Sequence, residues 1–207
     1  MFITFEGGEG SGKSTQCRLL FRKLMQQKVP AVLTHEPGGT ALGNQIRRIL
    51  KKNHRLSREA ELLLFAACRA QLVSEIIYPA LQQGKVVICD RFSYSTIAYQ
   101  GYGRGIKPEV IKLLNDIATR ELSSDLVVLL DISPEQGLSR KRSRKDRFEL
   151  EDLDFHRRVR EGYLKMAATD PVRWLVIDAC LPRGKIAEIV WDKVSQLLAR
   201  PPSSLAV

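Results

Sequence analysis

The stretch FEGGEGSGKST, residues 5–15, decides the fold, because Gly7 to Ser14 follow the pattern G-x-x-x-x-G-K-[ST]. The strand-like MFITFEG leads into it, and Cys17, Leu20, Phe21, Leu24 and Met25 follow at helical spacing. Strand before and helix after is the setting in which such a loop cradles a polyphosphate. Backbone N–H groups of Gly7, Gly8, Glu9, Gly10, Ser11 and Gly12 turn inward, and the helix N-terminus adds its positive end. Lys13 is placed to reach the β- and γ-phosphates of a nucleotide, the Ser14 hydroxyl to ligate Mg²⁺, and Thr15 to extend the nucleotide contact. Glu9 is the anomaly. Two unit charges about 5 Å apart at an effective dielectric of roughly 20 repel by about 3 kcal/mol, so its carboxylate is expected to face something other than the phosphates.

Outward from the loop, short apolar runs alternate with helical patterns. Strands are expected at Phe2 to Phe5, Ala31 to Thr34, Val86 to Asp90, Leu126 to Asp131 and Trp174 to Asp178. Helices are expected around Leu42 to Leu50, from Ser57 toward Pro79, after Ser133 with Pro134 at its first position, over Leu153 to Ala168, and from Pro182 to Ala199. Alternating β and α with strands apolar on both faces predicts a parallel sheet covered by helices, with chemistry at the strands' C-terminal ends. The 207 residues, 44% of them hydrophobic, suit one domain over 1–199, with 200–207 as a flexible tail.

No run of 18 apolar residues occurs and no signal pattern opens the chain, so no membrane partner and a cytoplasmic location are expected. Cys17, Cys68, Cys89 and Cys180 form no C-x-x-C pair and read as reduced thiols, and His35, His54 and His156 are too scattered for a metal site. The net charge of +10 suits a polyanionic partner, and RKRSRKDR (Arg140 to Arg147) concentrates six basic residues and one acid inside the domain.

Two further clusters bear on chemistry. VVICDRFSYSTIAYQG puts Asp90 and Arg91 at the end of a buried strand. Asp90 suits Mg²⁺ through water and Arg91 a phosphate, although a surface ion pair is the plain alternative. LLLFAACRAQ sets Phe65 and Arg69 one helical turn apart, an aromatic plate beside a planar donor, or simply a core Phe and an exposed Arg. No N-K-x-D guanine motif is present.

In order, FEGGEGSGKST, HEPGGT, FAACRAQ, DRFSYSTIAYQGYGRG, LLDISPEQGLSRKR, DRFELEDLDF and VIDA make the chain resemble the thymidylate kinase family. The resemblance implies the P-loop nucleoside monophosphate kinase fold: an α/β protein with a five-stranded parallel sheet flanked by helices, and a mobile lid, here about 140–150. It implies phosphorylation of dTMP to dTDP by ATP with Mg²⁺, in dTTP biosynthesis, by a homodimer. It turns Glu9 toward the dTMP sugar, stacks Phe65 on thymine, and lets Arg69 and Thr96 read the base. Tyr99 crowds the sugar's 2′ side, Gln100 lies near the base, Arg91 holds the acceptor phosphate, and Glu36 and Pro37 close over it. The phosphate loop lacks the basic residue that some relatives carry there, so lid arginines are implied instead: Arg142 at ATP, with Arg144 and Arg147 at the transferring phosphoryl. Relatives commonly carry Arg where this chain has His35, and the lid is about two residues shorter than in some bacterial relatives. Rival readings are a kinase for another nucleoside monophosphate and a nucleic-acid-dependent ATPase. The Phe65/Arg69 face has no use in the latter, and no nucleic-acid partner is expected.

Overall fold

A computed structural model describes residues 1–52, 55–140 and 146–199. Five strands, β1 (Phe2–Glu6), β2 (Ala31–His35), β3 (Val86–Asp90), β4 (Leu126–Asp131) and β5 (Trp174–Asp178), form one parallel sheet in the order β2-β3-β1-β4-β5. The register pairs Ile3 with Ile88 on one side and with Leu126 on the other. The three central strands are apolar on both faces because both faces are covered. Leu126, Val128 and Leu130 join Ile3, Phe5 and Ile88 in one core cluster, while Val127 and Leu129 point into another. Helices α1 (Lys13–Gln26) and α9 (Arg183–Leu198) close the first face with Leu20, Leu24, Ile186, Val190 and Val194. Helix α8 (Leu153–Thr169) covers the second with Phe155, Val159 and Tyr163.

Strands β3, β4 and β5 fall where the sequence places them, and β1 and β2 each run one residue further, through Glu6 and His35. The helix expected from Ser57 toward Pro79 has three parts: α3 (Arg58–Leu72), a π-helical stretch Val73–Ile77, and α4 (Tyr78–Gln82). Pro79 has no N–H and its ring crowds the carbonyl four residues back, and the widened turn absorbs this without ending the helix. Ser57 caps α3 by accepting from the Ala60 N–H at 3.1 Å. Ser133 caps α7 (Pro134–Ser139) by accepting from the Gln136 N–H at 3.3 Å. Helix α2 covers Ala41–Lys52.

Three helical segments lie outside the sequence expectations: α5 (Ser93–Thr96), the π-helical Ile97–Gly103, and α6 (Pro108–Thr119). SYSTIAYQGYG is rich in residues of modest helix propensity, and its helicity is enforced by packing on α8 and α6. Helix α6 did carry a local signal, Pro108 at its first position. Residues 200–207, expected as a tail, and 141–145, within the expected lid at about 140–150, lie outside the described residues.

Candidate active site

The loop after β1 is shaped by glycines at positive φ. Gly7 (138°) and Gly10 (67°) bend it, and Gly12 (91°) starts α1. Gly10 admits no side chain, since a Cβ there would stand 1.9 Å from the Gly137 carbonyl oxygen of α7. The loop's backbone therefore rests directly on a second backbone. Lys13 is buried, and its ammonium donates to the Gly8 carbonyl at 2.7 Å and to Ser11 Oγ at 3.1 Å. Burial, helped by Arg91 and opposed by Glu9 and Asp90, lowers its pKa to about 8. The Ser14 hydroxyl donates to the Asp90 carboxylate, so the two oxygen groups expected at a metal meet.

Arg91 follows β3 in the left-handed region, φ 72°, a conformation that costs a non-glycine residue about 1–2 kcal/mol. Its guanidinium is held by an unusually complete set of partners. Nη1 donates to the Gly7 carbonyl (3.0 Å), Ser95 (3.2 Å) and the Tyr163 hydroxyl (3.3 Å). Nη2 donates to Glu9 Oε1 (2.7 Å) and the Tyr99 hydroxyl (3.1 Å). The Glu9 carboxylate, the loop's anomaly, also accepts from the Tyr99 hydroxyl at 2.8 Å, so Arg91 and Tyr99 both engage it.

Behind Arg91 lies a fully buried carboxylate, Glu6. It accepts from the Phe92 N–H (2.8 Å), the Ser95 hydroxyl (2.6 Å) and the Tyr163 hydroxyl (3.1 Å). Burial raises its pKa, against the pull of Ser95 and Arg91. Glu6 and Tyr163 escape sequence reading, because 157 residues separate them and neither belongs to a spaced motif.

Beyond Arg91 the cavity becomes aromatic. Phe65 of α3 stands 5.8 Å from Phe148, and Tyr99 lies 6.1 Å from the same ring. Thr96 and Gln100 line this end, and the buried Thr96 hydroxyl has no hydrogen-bond partner among the described residues. Glu36 and Pro37 also line the cavity, and the Pro37 carbonyl accepts from Arg47 at 2.7 Å. His35 sits beside them, its pKa lowered by burial and by Arg47, so it is neutral near pH 7.

Two of the expected site residues stand outside the cavity lining. Arg69 is one. Its Nε and Nη2 hold Glu36 at 2.9 and 2.6 Å, Nη2 also meets the Phe92 carbonyl at 3.2 Å, and Nη1 donates to Asn115 at 2.7 Å. The group presented to the cavity is thus Glu36, whose pKa burial raises to about 7 against the pull of Arg69. Arg147 is likewise turned away. Its neighbours Asp146 and Phe148 line the cavity, while its own side chain reaches Leu50 of α2 and Glu61 of α3 beside a second, smaller cavity. There Nε donates to the Leu50 carbonyl at 3.1 Å, and Nη2 stands 2.5 Å from Glu61 Oε2, a charge contact without hydrogen-bond alignment. Arg142 and Arg144 lie outside the described residues. Arg140 lines the cavity and donates to the Ala179 carbonyl at 2.9 Å.

One cavity of about 700 Å³ joins the two halves: Gly10, Gly12, Lys13, Ser14 and Thr15 line it on the loop side and Phe65, Thr96, Tyr99 and Gln100 on the aromatic side, with the Glu9–Arg91 pair between them. A glycine cradle with a buried lysine, opening onto an aromatic pocket behind an arginine, on a five-stranded parallel sheet, defines the class of P-loop nucleoside monophosphate kinases. Residues 5–189 match the family profile described as thymidylate kinase. The thymidylate kinase of Trichlorobacter lovleyi is 49% identical over 211 residues, covering 97% of this chain and all of that one. That of Synechococcus sp. strain JA-2-3B'a(2-13) is 50% identical over 198 residues, covering 96% of each. The crystal structure of thymidylate kinase from Ehrlichia chaffeensis superposes with a TM-score of 0.78 at 38% identity, over 94% of this chain and 98% of that one. The chain belongs to the thymidylate kinase family.

Proposed function

We propose that the cavity performs ATP-dependent phosphorylation of dTMP to dTDP by direct transfer. The observation that carries this assignment is the continuity of the two half-sites: the glycine cradle and the aromatic pocket share one space, with Arg91 and Glu9 between them. The cradle, Lys13 and Thr15 hold ATP. Phe65 stacks on the base, Thr96 and Gln100 meet its edge, and Tyr99 occupies the space a 2′-hydroxyl would need. Glu36 and Pro37 wall the pocket, with Arg69 acting through Glu36.

The nucleophile is an oxygen of the acceptor phosphate, whose second pKa near 6 leaves it largely anionic at neutral pH, so no general base is required. What the chain supplies is alignment of two anions and positive charge around them. Arg91 donates to the acceptor phosphate, which competes with Glu9 for Nη2 and frees that carboxylate for the sugar's 3′-hydroxyl. Of the lid arginines, Arg142 is assigned to ATP and Arg144 to the transferring group. Mg²⁺ prefers oxygen ligands and retains several waters, and the Ser14 hydroxyl with the Asp90 carboxylate fits that preference. Bound there with ATP, it would neutralise phosphate charge.

The assembly is proposed to be a homodimer. Helices α3 and α6 pack together and leave Leu63, Leu113 and Ile117 more than half exposed (56, 61 and 66%), a patch suited to a second copy. Among the described residues no helix is long and apolar enough to cross a membrane. The four cysteines are free, three of them buried, which suits a cytoplasmic setting. A coupled assay over dTMP, dUMP, dCMP, AMP and GMP tests the assignment. The highest kcat/KM belongs to dTMP, with dUMP reduced by a limited factor, since one methyl group contributes about 1–3 kcal/mol. A clear preference for a non-thymidine acceptor overturns it.

A further inference from the structure

Glu61 of α3 is 1% exposed, yet it does not border the substrate cavity. Its carboxylate gathers three side chains from elsewhere in the chain. Arg104 donates to it through Nε and Nη2 at 3.3 Å each, and Arg147 stands 2.5 Å away. Gln100 Nε2 donates to Glu61 Oε1 at 2.7 Å. Glu151 pairs with the same Arg104 at 2.6 Å. Two guanidinium groups on one buried carboxylate supply the charge that its burial demands.

The Gln100 contact has a directional consequence. A carboxylate only accepts, so the end of the Gln100 amide that touches Glu61 must be its NH₂ group. The carbonyl Oε1 is thereby the other end, and it accepts no hydrogen bond among the described residues. Gln100 borders the cavity next to Thr96, whose buried hydroxyl is also without a partner. We propose that Glu61 is a positioning residue for base selection: by holding the Gln100 amide NH₂, it fixes Oε1 as an acceptor in the pocket. The pocket then requires an N–H on the facing edge of the base. A pyrimidine-2,4-dione offers one at N3, whereas a cytosine ring presents a bare nitrogen lone pair there. Arg104 and Arg147 keep the carboxylate in place, which gives the buried side chain of Arg147 a role in recognition rather than in transfer.

This inference rests on the proposed dTMP reading, and the test separates the two. It compares kcat/KM for dTMP and 5-methyl-dCMP, which share the methyl group and sugar and differ only at the hydrogen-bonding edge. Wild type favours dTMP by at least about a hundredfold, as expected of a site built around one substrate N–H. Glu61→Gln lets residue 61 either donate or accept, so the Gln100 amide can turn over, and the preference falls at least tenfold. Glu61→Asp keeps the charge near both arginines but withdraws it from Gln100, and lowers the preference in the same direction. In a Gln100→Ala background, Glu61→Gln changes the preference no further. A ratio is independent of how much enzyme is folded, so partial loss of structure does not obscure it. Parallel losses on both acceptors, with the ratio kept in both Glu61 variants, overturn the Glu61 role and leave the dTMP reading standing. A wild type that does not favour dTMP overturns both.

Discussion

The two ends of the cavity are built in opposite ways. The end proposed to hold ATP is one contiguous segment, residues 7–15, formed by backbone conformation and a helix start. The end proposed to hold the acceptor is assembled from distant side chains: Glu9 with Arg91 across 82 positions, Arg69 with Glu36 across 33, Gln100 with Glu61 across 39. A backbone cradle tolerates only what glycine permits, and so leaves a readable pattern. A side-chain network needs only that its members meet in space. Glu9 belongs to both: its backbone is part of the cradle and its carboxylate is part of the network.

Substitutions should separate these two designs. Lys13→Ala removes the only ammonium seated in the cradle among the described residues and should lower kcat by about 10²–10³ or more, the scale of deleting a preorganised charge at a reacting centre. Rapid-quench turnover measures it, and a loss below tenfold would take Lys13 out of the transfer step. Arg91→Lys keeps a charge but loses the planar fork that meets five partners. It should reduce kcat/KM for dTMP by about a hundredfold while KM for ATP stays within about twofold. Equal losses on both substrates would break the division between the ends.

The pH profile gives a smaller effect. Burial lowers the Lys13 pKa to about 8, so the free enzyme holds the ammonium charged below that pH and loses it above. Phosphates favour the charged form, so ATP binding takes up a proton near pH 8 and weakens roughly tenfold between pH 8 and 9.5, by a full unit of log affinity per pH unit well above the pKa. Calorimetry in buffers of different ionisation enthalpy reads that uptake, and proton release would reverse the sign of the argument. Tyr163→Phe deletes one hydroxyl shared by Glu6, Ser95 and Arg91 and should cost about 1 kcal/mol, roughly fivefold in kcat/KM for dTMP, with ATP binding unchanged.

The same contrast explains what the sequence revealed. The sheet, the caps at Ser57 and Ser133 and the phosphate loop were legible because hydrophobic period, capping chemistry and glycine spacing are local. Phe65 and Arg69 were correctly placed on one helix, but nothing local said that Glu36 would claim the arginine. RKRSRKDR announced positive charge without direction: Lys51 holds Asp146 at 2.9 Å, and Arg147 turns to Glu61 in the next cleft. Glu6, Glu61 and Tyr163 carried no signal, because a buried polar residue is recognised by its partners and those are remote in the chain.

The direct test of the division of labour is calorimetric titration of Glu9→Ala with dTMP and, separately, with an ATP analogue. Removing the carboxylate should weaken dTMP binding by about fivefold or more, the value of a charge-assisted contact, while the ATP analogue binds as to wild type. Weakened ATP-analogue binding with dTMP affinity unchanged would contradict the assignment of Glu9 to the acceptor.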